Sequence, residues 1–557
     1  MSTGSAPIAQ PLSAHVVIVG SGVAGMLVAY RLAQAGVQVL VLEAGPPVNR
    51  AEAVETYRNA VAKTPESPYP NTFYAPRPTV LDLQGYYVQE GPSLFKSTYE
   101  RRVGGTTWHW LGTSLRHLPN DFQMRTLYGV GEDWPITYDQ LEPWYTEAEQ
   151  ELGVSGDSKE DLGSPRSGGF PMQPLPLTYL DRQVAVAANQ LGYSVKLTPQ
   201  ARNSVTYDGR PPCCGNATCV PICPIAAKYD ASVHVKKAVA LGVQVVDQAV
   251  VHFVEVNAAG WVTGVRFKRP DGSEQRAVGH LYVLAAHAIE TPKILLMSRT
   301  DALPNGVANR SGQVGRNLMD HPIQLSWALA REPLYPYRSP LENAGIEDWR
   351  DGDFRRRHAA FRMAIGEDGW SFPGTPPTTL AAKLIGEGFR GRELAEQINA
   401  HAARQFRFAN LIEQLPNPEN RVEPAFDQPD AIGIPRPRIY YSLDEYVLQG
   451  MAVARQVSEQ VFRAMGALTI EHGEEHEGAG HVMGTYRMGN DPRTSVVNAE
   501  QRSHDHPNLF LLGSGVFPTV GTANPTLTIA ALALWAAQII RHDLERLQRQ
   551  TGGAANA

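Results

Sequence analysis

HVVIVGSGVAGMLVAYRLAQAGVQVLVLE, running from His15 to Glu43, is the stretch on which the fold turns. Its first six residues, His15 to Gly20, form a continuous apolar run, the mark of a strand buried on both faces of a parallel sheet. Gly20-Ser21-Gly22-Val23-Ala24-Gly25 follows at once, then a helical run from Met26 to Ala35 and a second apolar strand from Val37 to Leu42, closed by Glu43. The three glycines have separate tasks. Gly20 permits the tight turn, Gly22 lets the backbone approach a pyrophosphate, and Gly25 allows the helix to pack closely on the strand. The helix N-terminus then faces the phosphates, and Glu43 is placed to accept hydrogen bonds from a ribose diol. The glycine spacing alone is weak; strand, helix and acid around it make it a dinucleotide-binding βαβ unit. It does not by itself separate FAD from NAD, although its place at the head of the chain favours FAD.

Composition narrows the remaining classes. Of the 557 residues, 43% are hydrophobic and 19% charged, a balance that supports a large core and more than one domain. The net charge of −6, without a long basic run, gives no reason to expect a nucleic-acid partner. The most apolar segment, Leu527 to Ile540, falls short of the roughly 18 to 20 residues a membrane span needs and carries Thr528 and Gln538. A packed core helix is expected there, and no transmembrane segment. Met1 to Ala14 has neither a basic n-region nor an apolar core, so it does not read as a signal peptide.

Five further motifs occur in order: VGGTTWHW (Val103 to Trp110), LAAHAIETPKILLMS (Leu284 to Ser298), VGRNLMDHP (Val314 to Pro322), HVMGTYRMG (His481 to Gly489) and PTVGTANPTLT (Pro518 to Thr528). Together they resemble the glucose–methanol–choline oxidoreductases, FAD enzymes that oxidise alcohols and sugars, over nearly the whole chain from about Val16 to the C-terminal helix. The resemblance implies an α/β fold: a Rossmann-type FAD-binding domain with a discontinuous α+β substrate-binding domain. Residues 1–119, 201–323 and 476–557 are assigned to the first, residues 120–200 and 324–475 to the second. Val243 to Val254 and Gln275 to Leu284 are read as strands of the FAD domain, and Trp370 to Pro377 as candidate pocket wall. Besides Gly20, Gly22, Gly25 and Glu43, the motifs make Gly104, Gly105, Thr106, His109, Ser514 and Thr526 candidate FAD contacts. Two positions depart from the family: Gly513 stands where an acid is common, and His287 where a small or amide residue is usual.

All four cysteines of the chain lie in one loop, Cys213, Cys214, Cys219 and Cys223. Thiolates gathered with short spacers suit a soft metal centre, and Pro224 after Cys223 resembles the end of a ferredoxin-type loop. Two disulfides, a zinc site and free thiols are the competing readings. Consecutive side chains diverge, so Cys213 and Cys214 do not easily serve one cluster, which favours three ligands and a [3Fe-4S] centre. The segment Ala201 to Tyr229 is similar to the cysteine insert in the branch of bacterial FAD-dependent glucose, fructose and gluconate dehydrogenase catalytic subunits. That similarity implies Cys213, Cys219 and Cys223 as the ligands of a [3Fe-4S] cluster, with residues 201–229 as the cluster loop.

Oxidation of a carbinol requires a group to take the hydroxyl proton, and imidazole suits that task. His481, in H-x-x-G-T, matches the family's catalytic histidine and is assigned as the general base. Asn524, in G-T-A-N-P-T, matches the second member of the pair, which holds the substrate oxygen. His109 stands where pyranose oxidases bond a histidine to the flavin 8α carbon, so a covalent link is hypothesised against simple packing. By resemblance, electrons leave through the cluster to a haem c subunit, and a small companion subunit carries the export signal to the periplasmic face of the bacterial inner membrane; without a partner the protein would be cytoplasmic. Rival readings are an oxygen-using oxidase with a structural cysteine loop, a flavin redox sensor and an NAD-linked dehydrogenase.

Overall fold

The computed structural model describes residues 10–368 and 377–554. Its centre is a five-stranded, all-parallel sheet in the order Leu509–Leu511, Leu281–Leu284, Val16–Val19, Val39–Leu42, Gln244–Val246. Val16–Val19 and Val39–Leu42 are buried along their whole length, as continuous apolar runs require when helices cover both faces of a sheet. The crossover helix Val23–Gln34 packs against the long C-terminal helix Thr526–Ala554 and against Ser232–Ala240. The apolar run from Leu527 to Ile540 is the buried part of that C-terminal helix. Among the described residues no helix is long and apolar enough to cross a membrane.

Two expected strands are corrected. Val243 to Val254 divides into Gln244–Val246, which joins the parallel sheet, and Val250–Val256, which joins a separate four-stranded sheet. The break falls at Gln248, whose φ of 53° is left-handed and cannot continue a strand. Gln275 to Leu284 likewise divides into Glu274–Val278 and Leu281–Leu284. At the junction a Cβ on Gly279 would lie 3.0 Å from the Val17 side chain, so the chain crosses from one sheet to the other where only hydrogen fits comfortably.

A third sheet, of seven strands paired antiparallel throughout, takes Val195–Leu197, Pro322–Leu329, Glu342–Ile346, Phe361–Gly366, Gln405–Ile412, Thr469–His472 and Glu477–Gly478. The amphipathic helix Glu445–Ala464 covers one face of it. Of the expected pocket wall Trp370 to Pro377, all but Pro377 lies outside the described residues; Pro377 opens the helix Pro377–Gly386. Arg355 is fully buried and bonds Asp121 at 2.8 Å and Glu413 at 2.5 Å, linking the end of the strand Gln405–Ile412 to the turn Pro119–Phe122.

Candidate active site

One large cavity of about 810 Å³ runs from the glycine-rich turn to the face of the seven-stranded sheet. Gly20, Gly22 and Glu43 line it, together with Gly105, Thr106, His109, Ser514 and Thr526. Gly25 and Gly104 do not. A Cβ on Gly25 would lie 2.1 Å from the Gly20 carbonyl oxygen, so its task is helix-to-turn packing. Gly104 stands behind the wall, its N–H donating to Ser21 Oγ at 3.2 Å. Ser21 in turn donates to the Glu43 carboxylate from Oγ at 2.7 Å and from its backbone N–H at 2.9 Å. These bonds tie the two glycine loops together around the buried acid, whose pKa burial raises.

Whether the residues present suit a dinucleotide can be tested at Gly22. An added Cβ there meets no protein atom within 4 Å, whereas one on Gly20 would lie 2.5 Å from the Ala285 carbonyl oxygen. The helix that starts at Val23 has no side-chain cap and no acid in its first turn, so its N–H groups are left for a ligand at the cavity edge. The cradle fits a pyrophosphate. Gly22→Ala is therefore expected to fold like the wild type and lose its flavin on dialysis, while Gly25→Ala loses stability itself. Thermal melts and flavin absorbance separate the two; flavin retained by Gly22→Ala would contradict the assignment.

At the far end His481 and Asn524 meet, Asn524 Nδ2 lying 3.2 Å from His481 Nε2. They come from segments distant in sequence. Ser514 Oγ donates to the Val482 carbonyl at 2.5 Å, and Asn524 sits in the turn just before the C-terminal helix. Burial, then the neighbouring His321 and Arg362, hold the His481 pKa well below the usual imidazole value. A depressed pKa keeps the imidazole neutral, and so basic, at pH values below the unshifted value as well as above it. Reduction of the enzyme by substrate should therefore stay level from about pH 8 down to about pH 6.5, where an unshifted histidine would have lost half its base form. A half-loss at about pH 6.5 in rapid-mixing experiments would contradict that shift.

His109 is buried on the cavity wall, and burial, helped by the charges of Arg77 and Lys228, lowers its pKa to about 3. Its Nδ1 lies 3.6 Å from Glu100 Oε1 and makes no hydrogen bond. His287 also lines the cavity, stacked on Tyr99 at 4.2 Å, with a φ of 75°. That φ lies in the left-handed region, where residues other than Gly, Asn and Asp are uncommon. Gly513 has a φ of 108°, equally suited to glycine.

The four cysteines are free thiols and all line one small cavity of about 10 Å³. Among the described residues no three Cys, His, Asp or Glu side chains stand grouped to hold a single metal ion. The donor set nevertheless suits an iron–sulfur cluster: thiols only, beside the buried cations Arg202 and Lys228, with Arg202 Nε and Nη1 lacking partners. Val220 and Pro221 of the same loop line the large cavity. Lys228 Nζ donates to the carbonyl oxygens of Trp108, at 3.0 Å, and Trp110, which flank His109. Arg50 Nη1 donates to the Cys223 carbonyl at 2.8 Å and stacks over Trp108.

Sequence reasoning missed His321 and Asp320, which stand against His481 through its Nδ1 and its backbone N–H. They lie in the quoted motif VGRNLMDHP, but the pattern carries no sign of what they touch.

A flavin-type cradle, a histidine–amide pair and a sheet-walled cavity define the class, and comparison with known proteins agrees. The chain belongs to the GMC oxidoreductases, whose family models match residues 101–323 and 416–533, with an NAD(P)-binding Rossmann-like domain over residues 18–48. It is accordingly an FAD-dependent oxidoreductase acting on CH–OH groups. It is 40% identical to the fructose dehydrogenase large subunit of Gluconobacter japonicus, over 96% of this chain and 99% of that one. It is 30% identical to paromamine 6'-oxidase of Streptomyces fradiae, over 95% of this chain and 91% of that one. A formate oxidase structure from Aspergillus oryzae RIB40 shares the fold with a TM-score of 0.67, at 16% identity, covering 96% of this chain and 99% of that one.

Proposed function

We propose that the protein is a dehydrogenase that oxidises a hydroxyl group of a sugar, sugar acid, polyol or glycoside, with His481 as base and an iron–sulfur cluster as the electron outlet. The observation that carries this reading is the 3.2 Å pair of His481 Nε2 and Asn524 Nδ2 on the wall of the cavity that the glycine loops and the cysteine loop also line. A carbinol oxygen that takes the place of this direct contact, lying against both groups, gives its proton to Nε2 and accepts a hydrogen bond from Nδ2, which fixes the carbinol carbon in one orientation. Gly20, Gly22, Glu43, Gly105, Thr106, Ser514 and Thr526 would hold FAD, which when bound supplies the hydride acceptor. Anaerobic mixing with fructose, gluconate and sorbitol tests the reading: flavin bleaching by at least one supports it, and bleaching by no sugar or polyol would sink it.

Cys213, Cys219 and Cys223 are the proposed ligands of a [3Fe-4S] cluster, a one-electron carrier toward a cytochrome c-type subunit. The loop's contact with the large cavity supports this outlet. A small companion subunit and a place at the periplasmic face of the inner membrane complete the proposal, supported by the relative that is itself named a large subunit. We further propose a covalent bond from His109 to the flavin 8α carbon, since its buried imidazole is neutral and its Nδ1 unpartnered. Acid precipitation should leave the yellow colour in the pellet; colour wholly in the supernatant would refute the bond.

The alternative is an oxygen-dependent oxidase with a structural cysteine loop, favoured by the oxidase relative. Hydrogen peroxide formed at the rate of substrate oxidation, without added acceptor, would select it.

A further inference from the structure

We infer that His321 is a positioning residue that holds His481 in the Nδ1-protonated tautomer, leaving Nε2 unprotonated to take the substrate's hydroxyl proton. The inference rests on the reading of His481 as the base. His321 is fully buried and does not line the cavity, so it acts only through its neighbour.

The proton positions follow from one fixed acceptor. His321 Nε2 lies 3.0 Å from the Gly521 carbonyl oxygen, which can only accept, so Nε2 carries the proton. A neutral imidazole has one N–H, so His321 Nδ1 is a lone pair. That lone pair faces His481 Nδ1 at 2.9 Å, with the two rings near perpendicular at 88°. His481 Nδ1 must therefore be the donor, and its Nε2 the acceptor. Asn524 Nδ2 is a donor at 3.2 Å from that Nε2, the amide orientation this tautomer demands. Burial holds His321 at about 4, so the neutral form on which the chain of reasoning depends prevails at neutral pH.

The surrounding backbone keeps the relay in place. Asp320 Oδ1 accepts from the backbone N–H of both His321, at 2.8 Å, and His481, at 2.9 Å. Met319 and Met483 exchange backbone hydrogen bonds of 3.0 and 2.9 Å, joining the two segments. Gly521 has a φ of 52°, and a Cβ there would lie 2.6 Å from the Asp121 carboxylate, so the turn that presents this carbonyl to His321 calls for glycine.

Long-range ¹H–¹⁵N spectra of the holoenzyme labelled at histidine nitrogens read the tautomer directly, the His481 signals being assigned by their loss in His481→Ala. The expected wild-type result is a proton on His481 Nδ1 and none on Nε2. A wild-type proton on Nε2 overturns the proposal without recourse to any His321 variant. In His321→Leu the Nε2–H form should appear, and anaerobic flavin reduction should slow by about 10²-fold or more, at little-changed half-saturating substrate. His321→Asn, whose Oδ1 replaces Nδ1 as acceptor, should restore the tautomer and most of the rate. His321→Leu with the wild-type tautomer and rate would leave His481 as base but remove the role of His321. Unimpaired reduction in His481→Ala would remove the base itself, and the proposal with it.

Discussion

His481→Ala is expected to slow anaerobic reduction of the flavin by substrate by about 10² to 10⁴-fold, the range that general-base catalysis supplies, or about 3 to 5 kcal/mol of transition-state stabilisation. The size follows from the position of Nε2. It is the cavity-facing nitrogen paired with Asn524, on a ring that burial and the neighbouring His321 and Arg362 keep unprotonated. Removing it leaves Asn524 to hold the substrate oxygen with no group to take the proton. Substrate binding and flavin content should change little, since neither depends on the imidazole. Rapid-mixing absorbance under argon gives the rate. A variant that bleaches as fast as the wild type would remove His481 from the mechanism.

Cys219→Ser should abolish electron delivery to a one-electron acceptor while sparing flavin reduction by substrate. Cys219 is the buried cysteine of the loop, and its loss removes a proposed cluster ligand from the cavity beside Arg202 and Lys228. The loop borders the large cavity through Val220 and Pro221, and none of its cysteines lines that cavity, so the two half-reactions should separate cleanly. Iron content should fall together with acceptor activity. Full delivery by an iron-free variant would show that electrons leave the flavin by another route, and the oxidase reading would then lead.

The parallel sheet was legible because Val16–Val19 and Val39–Leu42 are uninterrupted apolar runs around a glycine turn whose three glycines have distinct physical tasks. The strand breaks near Gln248 and Gly279 were not. Gln248 adopts a left-handed φ without being Gly, Asn or Asp, and Gly279 sits inside an otherwise continuous run. At the candidate site, His481 and Asn524 could be picked from their motifs, but their 3.2 Å approach depends on the fold. His321 was hidden for a stronger reason. What it does is set by the Gly521 carbonyl, 200 residues away, and a backbone acceptor leaves no trace in side-chain identity. Gly104 matched a cofactor motif but serves the loop behind the wall, a distinction that only the direction of its N–H reveals.

The most direct test of the proposed dehydrogenase with an iron–sulfur outlet is low-temperature electron paramagnetic resonance, with iron quantification, on the protein as isolated. The expected result is a signal near g ≈ 2 from an oxidised cluster at about three irons per chain. Protein that carries flavin but no iron, with zinc or disulfides at the four cysteines, would contradict it.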